Sequence, residues 1–132
     1  RGGNAIGITQ GGGESWSGVT IRYNSSLGGI RVDPMVTNAV IKGNVARKDT
    51  NYSCQDNISF SYNVWTGASC SPTDRTAPFA DVFVSPGALD LRLKDGSDAI
   101  GGGDPADYPA TDVQGQSRPQ GSGPDAGADE RA

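Results

Sequence analysis

The chain has 132 residues, a net charge of -4, 34% hydrophobic residues, 20 glycines, eight prolines, two cysteines and no histidine. This length predicts one domain. The missing histidines exclude a Ser-His-Asp triad and a His-ligated zinc within the chain, and two cysteines cannot form a four-thiolate zinc site. The acidic balance argues against a nucleic-acid partner, no apolar run is long enough to span a bilayer, and no signal peptide is visible.

In chain order, Ile6 and Ile8 open an alternating segment that is matched by Ile30 and Val32, 24 residues later. Tyr52 and Cys54 continue that column at a shorter offset of 22. Between these lie three segments that superimpose: Val19 to Ser25, Ala39 to Val45 and Ile58 to Val64. Each alternates with the period of two expected of a strand. Val19, Ala39 and Ile58 form one apolar column, and Ile21, Ile41 and Phe60 form another. Thr20, Val40 and Ser59 point the opposite way, as do Arg22, Lys42 and Ser61. Each segment closes on an asparagine, Asn24, Asn44 or Asn63, at spacings of 20 and 19 residues. The variable offsets place insertions in loops: Gly11 to Gly13, Asp33 to Thr37 and Ala46 to Asn51.

Short strands repeating at this period read as a solenoid, because one coil is too small to bury its own apolar face and must stack on its neighbours. The expected fold is all-β: a right-handed parallel β-helix of about three coils over 1–100, with an irregular Gly/Pro/Asp-rich capping segment over 101–132. Ile6, Ile8, Val19, Ile21, Ile30, Val32, Ile41, Ile58 and Phe60 point inward. A β-sandwich of hairpins is the rival, but the two-residue turns it needs are sparse. The repeated asparagines suit a hydrogen-bonded ladder between stacked coils, or simply corners with left-handed backbone, which asparagine tolerates. Farther on, Asp81 to Val84 and Leu89 to Leu93 read as short strands.

The C-terminal stretch carries a family resemblance. Leu91 to Ile100 followed by Gly103-Asp104-Pro105 resembles the "FxLxxGSPAIDAGDP" segment of secreted bacterial right-handed parallel β-helix proteins of the pectate-lyase-like superfamily. Asp98 stands where proline is usual, and Gly101-Gly102 where Asp-Ala is usual. Thr111 to Pro119 resembles the family's "TDxxGxxRP", and Gly123 to Glu130 its "GPDxGAxE" ending. The match covers about the last fifty residues. Chains of that family are longer, so the resemblance implies the terminal coils and closing module of a larger, secreted or cell-surface protein. It also favours a Cys54–Cys70 disulfide over two reduced thiols, since exported proteins keep such bonds.

An open solenoid end must be covered. Val113, Pro119 and Pro124 are expected to lie over it, pinned by ion pairs among Arg118, Asp112, Asp125, Asp129 and Glu130. Calcium held by Asp104, Asp107, Asp112 and Asp125 is the rival use of those acids, although their spacing matches no calcium loop. No cofactor is otherwise called for. At the other end, upstream coils or another copy of the chain would cover the first strand.

Superfamily enzymes use clustered acids on a strand face, and none stand in the outward rows here. No catalytic residue is assigned. Arg22 and Lys42 stack as like charges that a bound acidic polysaccharide would relieve, with Trp16 and Trp65 in loops as sugar-stacking platforms; alternatively they are a solvated face and covers for the core ends. Two functions remain: an extracellular structural or adhesive module, self-associating through its coil ends, or a fragment of a polysaccharide-binding or polysaccharide-degrading enzyme.

Overall fold

Alternation generates the strands where the repeat places them. In the computed structural model, which describes residues 4–8, 17–33, 35–47 and 54–131, β2 (Thr20–Arg22), β4 (Ala39–Lys42) and β6 (Ile58–Ser61) form a parallel sheet, here sheet B. Its register pairs Ile21 with Ile41 and Ile41 with Phe60, while Thr20, Val40 and Ser59 form the adjacent row. A second sheet, A, contains β1 (Asn4–Ile8), β3 (Ser25–Val32), β5 (Val45–Arg47), β7 (Val64–Trp65) and β8 (Arg75–Thr76) in that spatial order, all parallel. From β2 to β7 the chain alternates between the sheets, passing directly from B to A at each asparagine. Among the described residues the regular elements are mostly strands, with helix confined to single turns: an all-β protein.

Ile6 pairs with Ile30 and Ile8 with Val32, as the column predicts. The next strand is not the expected one. Val45–Arg47 takes the following place in sheet A, so Ala46 and Arg47 are strand rather than loop. Cys54 lies outside the strands, and Tyr52 and Gly11 to Gly13 lie outside the described residues. The reason is the sharpness of the corner. Only Tyr23-Asn24, Gly43-Asn44 and Tyr62-Asn63 separate the strands of the two sheets, so the second strand starts immediately after each asparagine. The left-handed residue is also not the asparagine but its predecessor: Tyr23, Gly43 and Tyr62 have φ of 54°, 69° and 57°. This conformation costs a side-chain-bearing residue about 1–2 kcal/mol. At Gly43 a side chain is doubly excluded, because a Cβ there would lie 2.7 Å from the Tyr23 ring.

Between the sheets lies one core of Ile21, Ile30, Val32, Val36, Ala39, Ile41, Ala46, Ile58 and Trp65, joined by Ile6, Val19 and Phe60. The Ile8 side chain lies outside the described residues. The opposite face of sheet A is apolar too. Val45 and Val64 pack there with Val82, Phe83, Leu93, Ala99 and Ala126. A sheet covered on both faces explains the consecutive apolar pairs Val45-Ala46 and Val64-Trp65, which strict alternation does not anticipate.

This second layer comes from the chain beyond β8. Asp81 and Val82, expected in a strand, belong to a single helical turn, α1 (Phe79–Val82); Pro78 before it has no N–H for a ladder, and Phe79 stacks on Phe83 at 5.7 Å. β9 (Phe83–Ser85) and β10 (Asp90–Leu93) then pair antiparallel. Leu89, expected to start the strand, is instead left-handed (φ 62°) between them.

Cys54 and Cys70 are bonded, with Cα atoms 5.4 Å apart. The bridge closes the loop that carries β6 and β7. No helix among the described residues is long and apolar enough to cross a membrane.

Candidate functional site

Three constellations of polar residues are built on this frame. The first runs along the corners. Asn24 gives its backbone N–H and its side-chain amide to Asn44 Oδ1, both at 3.0 Å. Asn44 does the same to Asn63 Oδ1 (2.9 and 3.1 Å), and Asn63 to Asp74 Oδ1 (3.0 and 3.2 Å). The amides of Asn44 and Asn63 also donate to Ile21 O and Ile41 O of the preceding coil, each at 2.9 Å. Asp74 closes the row. Its second oxygen accepts from Trp65 Nε1 at 2.8 Å and from Cys70 N at 3.1 Å. A carboxylate has no donor to pass on, which suits the final position. Asp74 escapes the repeat because its offset from Asn63 is 11 rather than 19 or 20; the signal is a side-chain oxygen acceptor standing directly before a sheet A strand.

Trp65 therefore occupies neither a loop nor a sugar-stacking platform. It sits in β7 and is 2% exposed, because its indole spans the end of the core edge-to-face with Phe60 and spends its N–H on Asp74. Trp16 lies outside the described residues.

The second constellation is the outward row of Arg22 and Lys42, neighbours in the register of sheet B. Both are met by the chain's own acids. Arg22 Nη1 lies 2.7 Å from Asp107 Oδ1, and Lys42 Nζ lies 2.9 Å from Asp107 Oδ2 and 3.1 Å from Asp104 Oδ2. The hydrogen bond from Lys42 holds the Asp107 carboxyl below its ordinary range, and the same bond raises Lys42. Tyr23 anchors the loop bearing these acids: its hydroxyl accepts from Asp104 N at 2.8 Å and donates to Asp107 O at 2.8 Å. Burial pushes the Tyr23 phenol up.

The third constellation fixes the tail. Arg118 lies 5.1 Å over the Tyr23 ring. It donates to Glu130 Oε1 at 3.1 Å and to the carbonyls of Asp125 and Gly127 at 2.9 and 3.0 Å. The Arg118–Glu130 pair is almost fully buried. Glu130 also accepts from Gln120 N and Asp125 N. The other acids are met by backbone N–H groups rather than by cations: Asp112 accepts from Gln114 N, Gln116 N and Glu130 N, Asp125 from Gly101 N and Arg131 N, and Asp129 from Leu93 N. Burial pushes the Asp125 and Glu130 carboxyls up.

The tail does not lie where it was expected. Gly127 N donates to Gly43 O and Ala128 N to Ser25 Oγ, so it docks along the corners of the first two B-to-A turns. Val113 is 74% exposed and Pro119 is exposed; of the three residues expected over the solenoid end, only Pro124 is buried. The close approach favours this path, since a Cβ on Gly127 would meet Ser25 Oγ at 2.5 Å.

The four acids considered for calcium are divided between two of these constellations. Asp104 and Asp107 face Lys42, and Asp112 and Asp125 spend their oxygens on N–H groups. Among the described residues no group of three potential ligands could hold a metal ion. No protein-family model matches the chain, and no curated protein matches it.

Proposed function

We propose that this chain is a short right-handed parallel β-helix, of the pectate-lyase-like kind, with a structural or adhesive role in an exported protein. Two parallel sheets visited alternately, joined by asparagine corners, support that architecture; right-handed crossover is the rule for parallel strands. The disulfide supports an oxidising compartment. The observation that carries the non-catalytic reading is where the charges go. The outward cations of sheet B face Asp104 and Asp107, and the buried carboxylates hold the tail's own backbone.

The competing role, binding or cleavage of an acidic polysaccharide at Arg22 and Lys42, is tested directly. The protein is run by affinity electrophoresis through polygalacturonate and alginate, and both polymers are followed for unsaturated uronide absorbance. The expected result is neither retardation nor new absorbance. Retardation lost in R22A/K42A, or any rise in absorbance, overturns the structural reading. The proposal extends to assembly: β1, at the edge of sheet A, is covered by preceding coils or by a second copy. A monomer in light scattering whose Ile6 amide exchanges slowly would refute that part.

A further inference from the structure

The three corners compose an internal comparison. Each requires positive φ, and the chain meets it with Tyr23, Gly43 and Tyr62. Glycine adopts this backbone freely, whereas a bulky residue there calls for a reason. For Tyr23 the reason is internal: its hydroxyl bonds to the Asp104–Asp107 loop, and Arg118 covers its ring. Tyr62 has no such return. It is half-buried, and among the described residues its hydroxyl has no hydrogen-bond partner and its ring no aromatic or cationic one.

Tyr62 instead lines a cleft of about 380 Å³ between its corner and the tail, together with Pro72, Thr73, Arg75, Pro105 and Ser122. That volume falls among those of small-molecule sites, about 300–1,000 Å³. Arg75 gives one Nη1 bond to Asp98 O, leaving Nε and Nη2 without partners among the described residues. The Ser122 hydroxyl is likewise unpartnered among them. No acidic side chain lines the cleft. A ring with no aromatic or cationic partner among the described residues, a guanidinium with donors to spare and a nearby hydroxyl make one set of complementary groups.

We propose that this cleft binds a small carboxylate carried on a ring, the ring against Tyr62 and the carboxylate on Arg75. An arginine fork matches a carboxylate, and a phenol ring stacks equally on a flat aromatic or on the face of a sugar. Two probes separate those sources: 4-hydroxybenzoate and glucuronate, titrated into the intact protein by NMR. At least one should bind with a dissociation constant of about 1 mM or tighter, shifting the amides of Tyr62, Arg75 and Ser122. Arg75→Gln should abolish those shifts at unchanged melting temperature. Tyr62→Gly should abolish them while leaving melting temperature unchanged or higher, because it relieves the left-handed strain. Absence of binding by both probes overturns the proposal. So does binding that persists in either variant, or a Tyr62→Gly protein that melts markedly lower, which would make the ring a structural part. The cleft is separate from the Arg22–Lys42 row, so the polysaccharide experiment can fail or succeed independently.

Discussion

Replacing Asn44 with alanine removes the central position of the corner row. Asn44 is fully buried. Its Oδ1 receives two bonds from Asn24, and its amide serves Ile21 O, Lys42 O and Asn63 Oδ1. Alanine leaves Asn24 N without its acceptor and Ile21 O without that donor. Each orphaned group costs about 1–3 kcal/mol, so the variant should lose about 2–6 kcal/mol. In a domain of this size that lowers the melting temperature by about 10 °C or more. Asn24→Ala is the control: the residue is half-buried, water can replace its amide, and the loss should be about 1 kcal/mol. Asn44→Asp separates shape from hydrogen bonding, since it keeps the acceptor but turns a charged oxygen toward Ile21 O or Asn63 Oδ1. It should be as damaging as alanine. Urea unfolding followed by tryptophan fluorescence reads all three, and equal losses for Asn44→Ala and Asn24→Ala would refute the reasoning.

Three further outcomes are expected. Gly43→Ala should destabilise by about 2 kcal/mol or more, through positive φ and a Cβ driven into the Tyr23 ring, with tail amide resonances shifting in the same spectrum. Cys54→Ser/Cys70→Ser should cost roughly 3 kcal/mol, the entropy of closing a loop of about this length, measured by urea unfolding without reductant. With acid, the groups act in opposite directions. Asp107 has a folded pKa below its ordinary 3.8, so its contribution is present above that value and is lost as pH falls through the folded pKa. Asp125 and Glu130 have folded pKa values raised by burial, so their protonation favours the folded state as pH falls. The tail should stay docked between pH 7 and about 5 while the Asp107 loop loosens only below about 3.8, which amide exchange across 101–131 resolves.

The strands of sheet B and the inward set apart from Ile8 were legible because period-two alternation and a repeat of 19–20 residues report the same face twice. Val45–Arg47 was not, since a strand buried on both faces carries no alternation. Trp65 shows the same limit: its neighbours mark a turn, but its environment depends on Asp74, which a shortened coil brings close. The ionic residues of the tail were legible as a group. Their partners were not, because most are backbone N–H groups, which every sequence has and no sequence displays. The left-handed position was misassigned by one residue for a related reason. Tyrosine is a poor predictor of that backbone, and at Tyr23 only distant contacts repay it.

The docking of the tail also sets an order of events during synthesis. Ala128 meets Ser25 across 103 residues, and Asp104 meets Tyr23 across 81. At about 5–20 residues per second, the ribosome delivers these segments several seconds after the corners that receive them. Until Val82, Phe83, Leu93 and Ala99 follow and Ala126 completes the layer, the outer face of sheet A presents Val45 and Val64 to whatever is nearby. A nascent chain stalled before residue 77 would expose this apolar strip indefinitely, making it a natural point for chaperone capture or for pairing between neighbouring polysomes.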